Sequence, residues 1–331
     1  MFRIYMHRER ASIADRESQR DTSRMSTTIT FETPVADHDP ALYTSHGEFS
    51  PIEGLAAVDN DAVAQYDRDG FLVVRSAFAA ERINDALAEL RAMSEAVDPD
   101  CAQVAFEGVM RRHIDEALGP DADVGDLDLR DRDEVSRILS MIDPQVRARM
   151  VRKFMGFTKT HPPLGAIAND KAMRAAIERL VGEPTKLFQT MALVKPPGGR
   201  EKPWHQDHAY FDLPLDAKIC GVWIALGHVT AQNGAMFMLR GAHRDGPVVH
   251  FKRRDWQICD TEIAGKQPVA LEMEAGDLVF FDAKIPHGTP TNRTNEQRWA
   301  LQFHYVPRSV EQIAQEMRLA VFGSEGKDVE C

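Results

Sequence analysis

The sequence has no run approaching the roughly 20 apolar residues that span a bilayer, which excludes a helical integral membrane protein. Basic residues are in the minority: 40 Lys+Arg stand against 51 Asp+Glu, a formal net charge of −11. An acidic chain of this kind is not a general nucleic-acid binder relying on a basic surface. Cysteine is sparse, and Cys101, Cys220, Cys259 and Cys331 form no CxxC pair. That spacing argues for reduced thiols and against both a disulfide framework and a structural zinc site. The absence of GxGxxG, P-loop, GxSxG and HExxH motifs leaves nucleotide folds, α/β-hydrolases and zincins without support. His243-Arg244-Asp245 lacks the downstream Asn and glycine-rich loop of a kinase. What is present is a globular composition, 43% hydrophobic and 27% charged over 331 residues, that suits one large domain or two small ones. A small-molecule enzyme is the leading expectation.

The first 24 residues carry arginines in the manner of a transit peptide. They also hold Glu9, Asp15, Glu17 and Asp21, which such peptides avoid, and lack the apolar core of a secretory signal. A cytoplasmic location is expected, with Met25 as an alternative start. Residues 1–55 read as a mostly unstructured arm, because His38, Asp39, Pro40, Gly47 and Pro51 interrupt each short apolar run. A single domain is expected over 56–320, with a helical part at 76–185, a β core at 186–307 and a tail at 321–331.

Gly70 introduces a β-branched strand over Phe71–Arg75, followed by Ile83, Leu87, Leu90 and Met93 at helical spacing up to Pro99. Residues 119–134 are acidic. Gly125 falls one position short of the glycine that a calcium loop starting at Asp121 requires, so a solvated loop is expected. Helical pattern resumes over Val135–Lys153 and Asp170–Val181, the latter with Asn169 as N-cap and Gly182 as stop. From Lys186 the pattern changes to LFQTMALVK, ICGVWIALGHV, AMFMLRGAH, PVALEM, DLVFFD and RWALQFHYV, separated by turn chemistries such as PPGG, QNG and EAGD. Successive short strands without intervening helices mean a mainly β fold, an antiparallel sandwich or barrel behind a helical N-terminal part.

His205 and Asp207 are two residues apart as strand character begins, and in an extended segment both point to one face. His243 and Asp245 share that spacing but sit in a Gly-flanked loop. His287, after the strand-like DLVFFD, completes two histidines and one carboxylate, the facial set of non-haem Fe(II) oxygenases. Zinc competes on ligand type, although structural zinc usually takes a fourth protein ligand and no cysteine is placed to supply it. Eleven positions beyond His287, Arg298 offers a fork of donors for the far carboxylate of a dicarboxylate cosubstrate whose other end chelates the metal.

Residues from about 60 to 307 resemble the phytanoyl-CoA dioxygenase family of Fe(II)/2-oxoglutarate oxygenases. The resemblance is carried by DRDGFLVVR, MALVKPPG, WHQD, ICGVWIAL, QNGAMFMLRGAHR, EAGDLVFFD, PHGTPTN and Arg298. It implies a double-stranded β-helix, the cupin-like jelly roll, with His205, Asp207 and His287 as iron ligands. It further implies that Arg298 pairs with the distal carboxylate of 2-oxoglutarate, with Thr289 beside it. Trp223 would line the cosubstrate pocket, Gln189 and Met191 would lie near 2-oxoglutarate, and Lys153 matches a further cosubstrate lysine under a one-residue shift. Arg240 departs from the family, which commonly has proline before the Gly-x-His turn.

The implied reaction depends on Fe(II), consumes O2 and 2-oxoglutarate, releases succinate and CO2, and hydroxylates an unactivated C–H bond of a small molecule. Asp207 argues against a halogenase, which lacks that carboxylate. Two other classes are weighed: a jelly-roll protein that binds a ligand without turnover, and a cupin-like metal enzyme that does not use 2-oxoglutarate and so has no need of Arg298. Arg240, His243, Arg244, Lys252, Arg253 and Arg254 crowd together near a lid-length segment, Phe251–Lys266. They are either a basic rim for an anionic substrate or a solvated loop. Substrate identity and oligomeric state are not written in the sequence.

Overall fold

The computed structural model describes residues 27–32, 35–119 and 132–323. The segment at 1–24, the core of the acidic stretch at 119–134 and most of the tail at 321–331 lie outside the described residues. Within them, a nine-stranded sheet runs, in order across it, β1 (Thr28–Phe31), β4 (Gln103–Phe106), β5 (Val151–Met155), β6 (Thr185–Lys195) and β15 (Arg298–Pro307). It continues through β8 (Cys220–Ala225), β13 (Leu278–Asp282), β3 (Phe71–Arg75) and β2 (Ile52–Glu53). A four-stranded sheet has the order β12 (Val269–Leu271), β9 (Met236–Met238), β14 (His287–Thr289) and β7 (Lys202–His205). β10 (His250–Lys252) and β11 (Trp256–Ile258) form a separate hairpin.

From β6 onward the chain alternates between the two sheets, except that β9 and β12 are both in the small sheet with the β10–β11 hairpin between them, and this makes the double-stranded β-helix. Period-2 side-chain alternation builds the layers. On β13, Leu278 and Phe280 join Leu72, Val74 and Ile224 in a core shared with the helices, whereas Val279 and Phe281 point the other way. There they meet Trp223, Met236, Met238 and Leu271, the core between the sheets. The helix Ala80–Glu95 packs on the outer face through Ile83, Ala86, Leu90 and Met93, at helical spacing.

Three expectations change. The helical pattern over Val135–Lys153 is broken by Asp143-Pro144, where the Asp143 side chain caps a new helix, Pro144–Met150. The chain then enters β5, so Lys153 lies on a strand. Asp170, rather than Asn169, caps the helix Lys171–Val181 by accepting from Met173 N–H.

The described part of the arm is also not unstructured. β1 pairs with β4 and β2 with β3, and Leu42 and Tyr43 are buried on the outer face of the small sheet. Tyr43 stacks on Trp204, and its hydroxyl donates to buried Glu201 at 2.7 Å. Interrupted apolar runs cannot build a sheet alone, but they add to edges and faces that other residues have already formed. Cys101 and Cys220 are free, buried thiols. No described helix is long and apolar enough to cross a membrane.

The Tyr43–Glu201 contact gives the arm a measurable role. Tyr43→Phe leaves a buried carboxylate short of one donor and is expected to destabilise the fold by about 1–3 kcal/mol in urea unfolding. An unchanged midpoint would mean that the Tyr43–Glu201 hydrogen bond contributes nothing to stability.

Candidate metal centre

β7 pairs with β14 so that His205 stands directly opposite His287. β7 ends at His205, and Asp207 opens the 3-10 turn Asp207–Tyr210. The extended His-x-Asp geometry expected from the sequence is therefore replaced by a strand end folding into a turn. Gln206, between the two residues, makes the turn rigid. Its N–H donates to His250 Nε2 at 3.0 Å, and its amide nitrogen donates to Gly246 O and Lys284 O. Its amide oxygen accepts from Val248 N–H at 2.8 Å.

One donor atom each from His205, Asp207 and His287 lies within 4.8 Å of the others, and all three residues are buried. Both imidazoles are oriented by backbone. His205 Nδ1 lies 2.7 Å from Pro203 O and His287 Nδ1 3.0 Å from Ile285 O. A carbonyl only accepts, so each Nδ1 carries the proton and each Nε2 lone pair faces the cluster. His205 Nε2 is 3.2 Å from Asp207 Oδ1, and His287 Nε2 is 3.7 Å from Oδ2. Burial, then His205, pushes the His287 imidazole down to about 4, so it stays neutral as a ligand must. Burial opposes ionisation of Asp207, but the neighbouring His287 and His304, the latter donating from Nε2, hold it well below the usual carboxylate range. Two neutral imidazoles and one carboxylate with open sides fit a divalent metal ion of the Fe(II) type.

Directly opposite residues of an antiparallel pair share a face. The register therefore places Arg298 with Lys195, Ala300 with Leu193, Gln302 with both Met191 and Trp223, and His304 with Gln189. Ala300, Leu193 and Trp223 belong to the core between the sheets, so this whole set faces the cluster. Lys153, opposite Leu193, shares the face and is half-buried. Arg298 is buried without a carboxylate partner among the described residues. Its Nε meets no acceptor, Nη1 reaches only Leu193 O at 3.4 Å, and its guanidinium lies 5.2 Å from the Trp223 ring centre. Burial, then Arg152, draws its pKa down to about 9, which marks an unpaired cation in a dry place. Thr289 is buried two residues after His287 and accepts from Lys195 Nζ at 2.7 Å. These groups fit a carboxylate that would occupy the space before Arg298. All nine residues singled out in the sequence thus lie on the facing inner surfaces.

His243 and Asp245 lie in the short 3-10 turn Ala242–Asp245 and take no part. The basic cluster is largely tied up internally. Arg254 is paired with Glu201 and Asp260, while Arg240 donates to Glu48 O and Arg244 to Arg68 O. Gln302 and His304 escaped the sequence reading, although they donate to Asp207 Oδ2 at 3.1 and 2.8 Å. The available signal was period 2 along β15, counted from Arg298.

A model of the phytanoyl-CoA dioxygenase family matches residues 66–300. The chain belongs to this family. A family relative, the ectoine dioxygenase of Bordetella bronchiseptica, is 26% identical over 283 residues, covering 78% of this chain and 76% of the relative. The peroxisomal phytanoyl-CoA dioxygenase of Homo sapiens is 33% identical over 144 residues, but the match spans only 39% of this chain and 42% of the human enzyme. Among solved structures, the α-ketoglutarate-dependent epimerase SnoN from nogalamycin biosynthesis superposes with a TM-score of 0.54 at 19% identity, covering 78% of this chain and 86% of SnoN. EctD from S. alaskensis with bound Fe gives 0.53 at 18% identity, covering 84% and 86%. These likenesses establish the shared fold.

The Gln206 clamp makes a pH prediction. His250 accepts from Gln206 N–H through Nε2, and burial pushes it from 6.5 down to about 3. Below pH 6.5 the unfolded chain takes a proton that the folded chain refuses, so stability falls as pH drops through that window. A His250→Gln variant, which retains an acceptor, should lose roughly 1–2 kcal/mol less than the parent protein between about pH 7 and pH 5 in urea titrations. Parallel losses in the two proteins would remove His250 from the acid response.

Proposed function

We propose that the protein is an Fe(II)- and 2-oxoglutarate-dependent dioxygenase that hydroxylates an unactivated C–H bond of a small molecule, with residues 56–320 as the oxygenase domain. One observation carries the reading: a buried two-histidine, one-carboxylate cluster faces the same sheet surface as a buried guanidinium that has no anionic partner among the described residues. A non-catalytic ligand-binding protein has no use for the first, and a cosubstrate-independent cupin has no use for the second.

His205, Asp207 and His287 would hold Fe(II) on one face, leaving its other positions for 2-oxoglutarate and O2. The metal, with these cosubstrates, supplies the oxidising chemistry and releases succinate and CO2. The protein's part is to keep both Nε2 lone pairs unprotonated and to fix Asp207 through Gln302 and His304. Arg298 and Thr289 would take the distal carboxylate of the cosubstrate, against the Trp223 ring. Gln189, Met191 and Lys153 would border it, and the packed sheet core keeps bulk water away.

The finer proposal of an anionic substrate rests on Lys252 and Arg253, exposed on a hairpin packed against β7, of which Arg253 also lies 3.6 Å from Asp260. Replacing both with Gln should raise the substrate KM and weaken its salt dependence without changing 2-oxoglutarate affinity.

The reading is tested by Fe(II)-dependent conversion of 2-oxoglutarate to succinate. About one Fe(II) per chain should bind, and His205→Ala or His287→Ala should abolish turnover. Arg298→Ala should raise the KM for 2-oxoglutarate by about two orders of magnitude, because a charge-assisted bidentate pair is lost. Turnover retained in the histidine variants, or an unchanged KM in Arg298→Ala, would overturn the assignment.

A further inference from the structure

Lys195 is an ammonium sealed inside the protein, 3% exposed, with no carboxylate of the described residues bonded to it. It lies directly opposite Arg298 across the β6–β15 pair, so two buried cations stand side by side. Burial first, then Arg298 and Arg152, works against its charge. An ammonium has three N–H donors and no acceptor. The structure provides three acceptors: Thr289 Oγ1 at 2.7 Å, Pro290 O at 2.5 Å and Thr289 O at 3.2 Å. With all three donors committed, Lys195 has none left for a ligand.

The direction of these bonds has a consequence for Thr289. Its hydroxyl oxygen accepts from Lys195, so its own proton is left for another acceptor, and no described residue supplies one. We infer that Lys195 is a positioning residue, which turns the Thr289 hydroxyl into an obligatory donor for the cosubstrate's distal carboxylate beside Arg298. The inference rests on the 2-oxoglutarate reading above and adds a residue that does not itself touch the cosubstrate.

The surrounding backbone is shaped for this lysine. Gly234, in the QNG turn, has φ +97°, and a Cβ there would come within 2.7 Å of Lys195 Cδ. Asn292 donates from its side-chain amide to Lys195 O at 3.0 Å, which anchors the end of β6. The lysine stem thus passes through a slot that only glycine leaves open.

The test separates the distal carboxylate from the rest of the cosubstrate. Fe(II)-loaded protein without oxygen is titrated with 2-oxoglutarate and with 2-oxobutyrate, which keeps the chelating end and lacks the far carboxylate. Binding is read from the visible absorbance of the metal chelate and from tryptophan fluorescence. The parent protein should strongly prefer 2-oxoglutarate. Lys195→Met should weaken 2-oxoglutarate by about 10- to 100-fold and leave 2-oxobutyrate within about two-fold. Thr289→Val should do the same, Thr289→Ser should retain parent affinity, and the Lys195→Met/Thr289→Val double variant should lose little more than either single one.

Equal weakening of both acids by Lys195→Met would reduce the lysine to a structural role and overturn the inference, as would additive losses in the double variant. Should Lys195→Met not fold, a Thr289→Val protein with unaltered preference for 2-oxoglutarate would overturn it alone. A parent protein that binds 2-oxobutyrate as tightly as 2-oxoglutarate, or neither, would instead sink the functional reading on which the inference stands.

Discussion

The pairing of two short strands governs the site. β7 and β14 place His205 and His287 on facing residues, with ring centres 4.3 Å apart. Had β7 continued as a strand, Asp207 would stand roughly 6.6 Å further along it. The 3-10 turn instead folds the carboxylate back to 3.2 Å from His205 Nε2. Such a turn has no ladder to hold it. The four hydrogen bonds of Gln206 take the ladder's place, fixing the residue between the ligands from both its backbone and its side chain.

The inner face of β15 complements that turn. Every second residue serves the cavity: Arg298 at one end, Ala300 against the core, then Gln302 and His304 beneath Asp207. Both donors bond Oδ2, so the carboxylate is held by one oxygen while Oδ1 lies nearest His205. At the other end, Arg298 and Lys195 are buried without counter-ions among the described residues. Desolvated charge of this sort is destabilising, and a bound carboxylate would offset the penalty. A site built this way is organised for an anion before the anion binds.

Much of this was legible in the sequence, and what was not has physical reasons. His205, Asp207, His287 and Arg298 stand out because few other jobs require those residue types in that order on successive strands. Gln206, Gln302, His304 and Lys195 are not legible alone, since glutamine, histidine and lysine serve many surfaces and their partners lie roughly 40 to 100 residues away. The strands from Lys186 onward were readable from alternation. The strands at 28–31 and 52–53 were not, because they add to edges supplied by distant residues. The basic cluster around Arg254 misleads for the same reason: a count of charges does not reveal that Glu201, far earlier in the chain, takes up one of them.

A single extra residue sets the character of the cavity's far end. Along the β6–β15 pair, His304 faces Gln189 while Tyr305 faces Leu187, so Phe188 is the unpaired residue of a bulge. Without it, strict alternation would send Phe188 to the helix side. With it, Leu187 packs toward the helices while Phe188 turns inward against Phe211, with Leu213 and Val306 around them. β15 therefore runs from a cationic end at Arg298, past the support of Asp207, to an apolar end at Val306. The metal ligands sit between the two. That polarity follows from the register of one strand pair and one inserted residue.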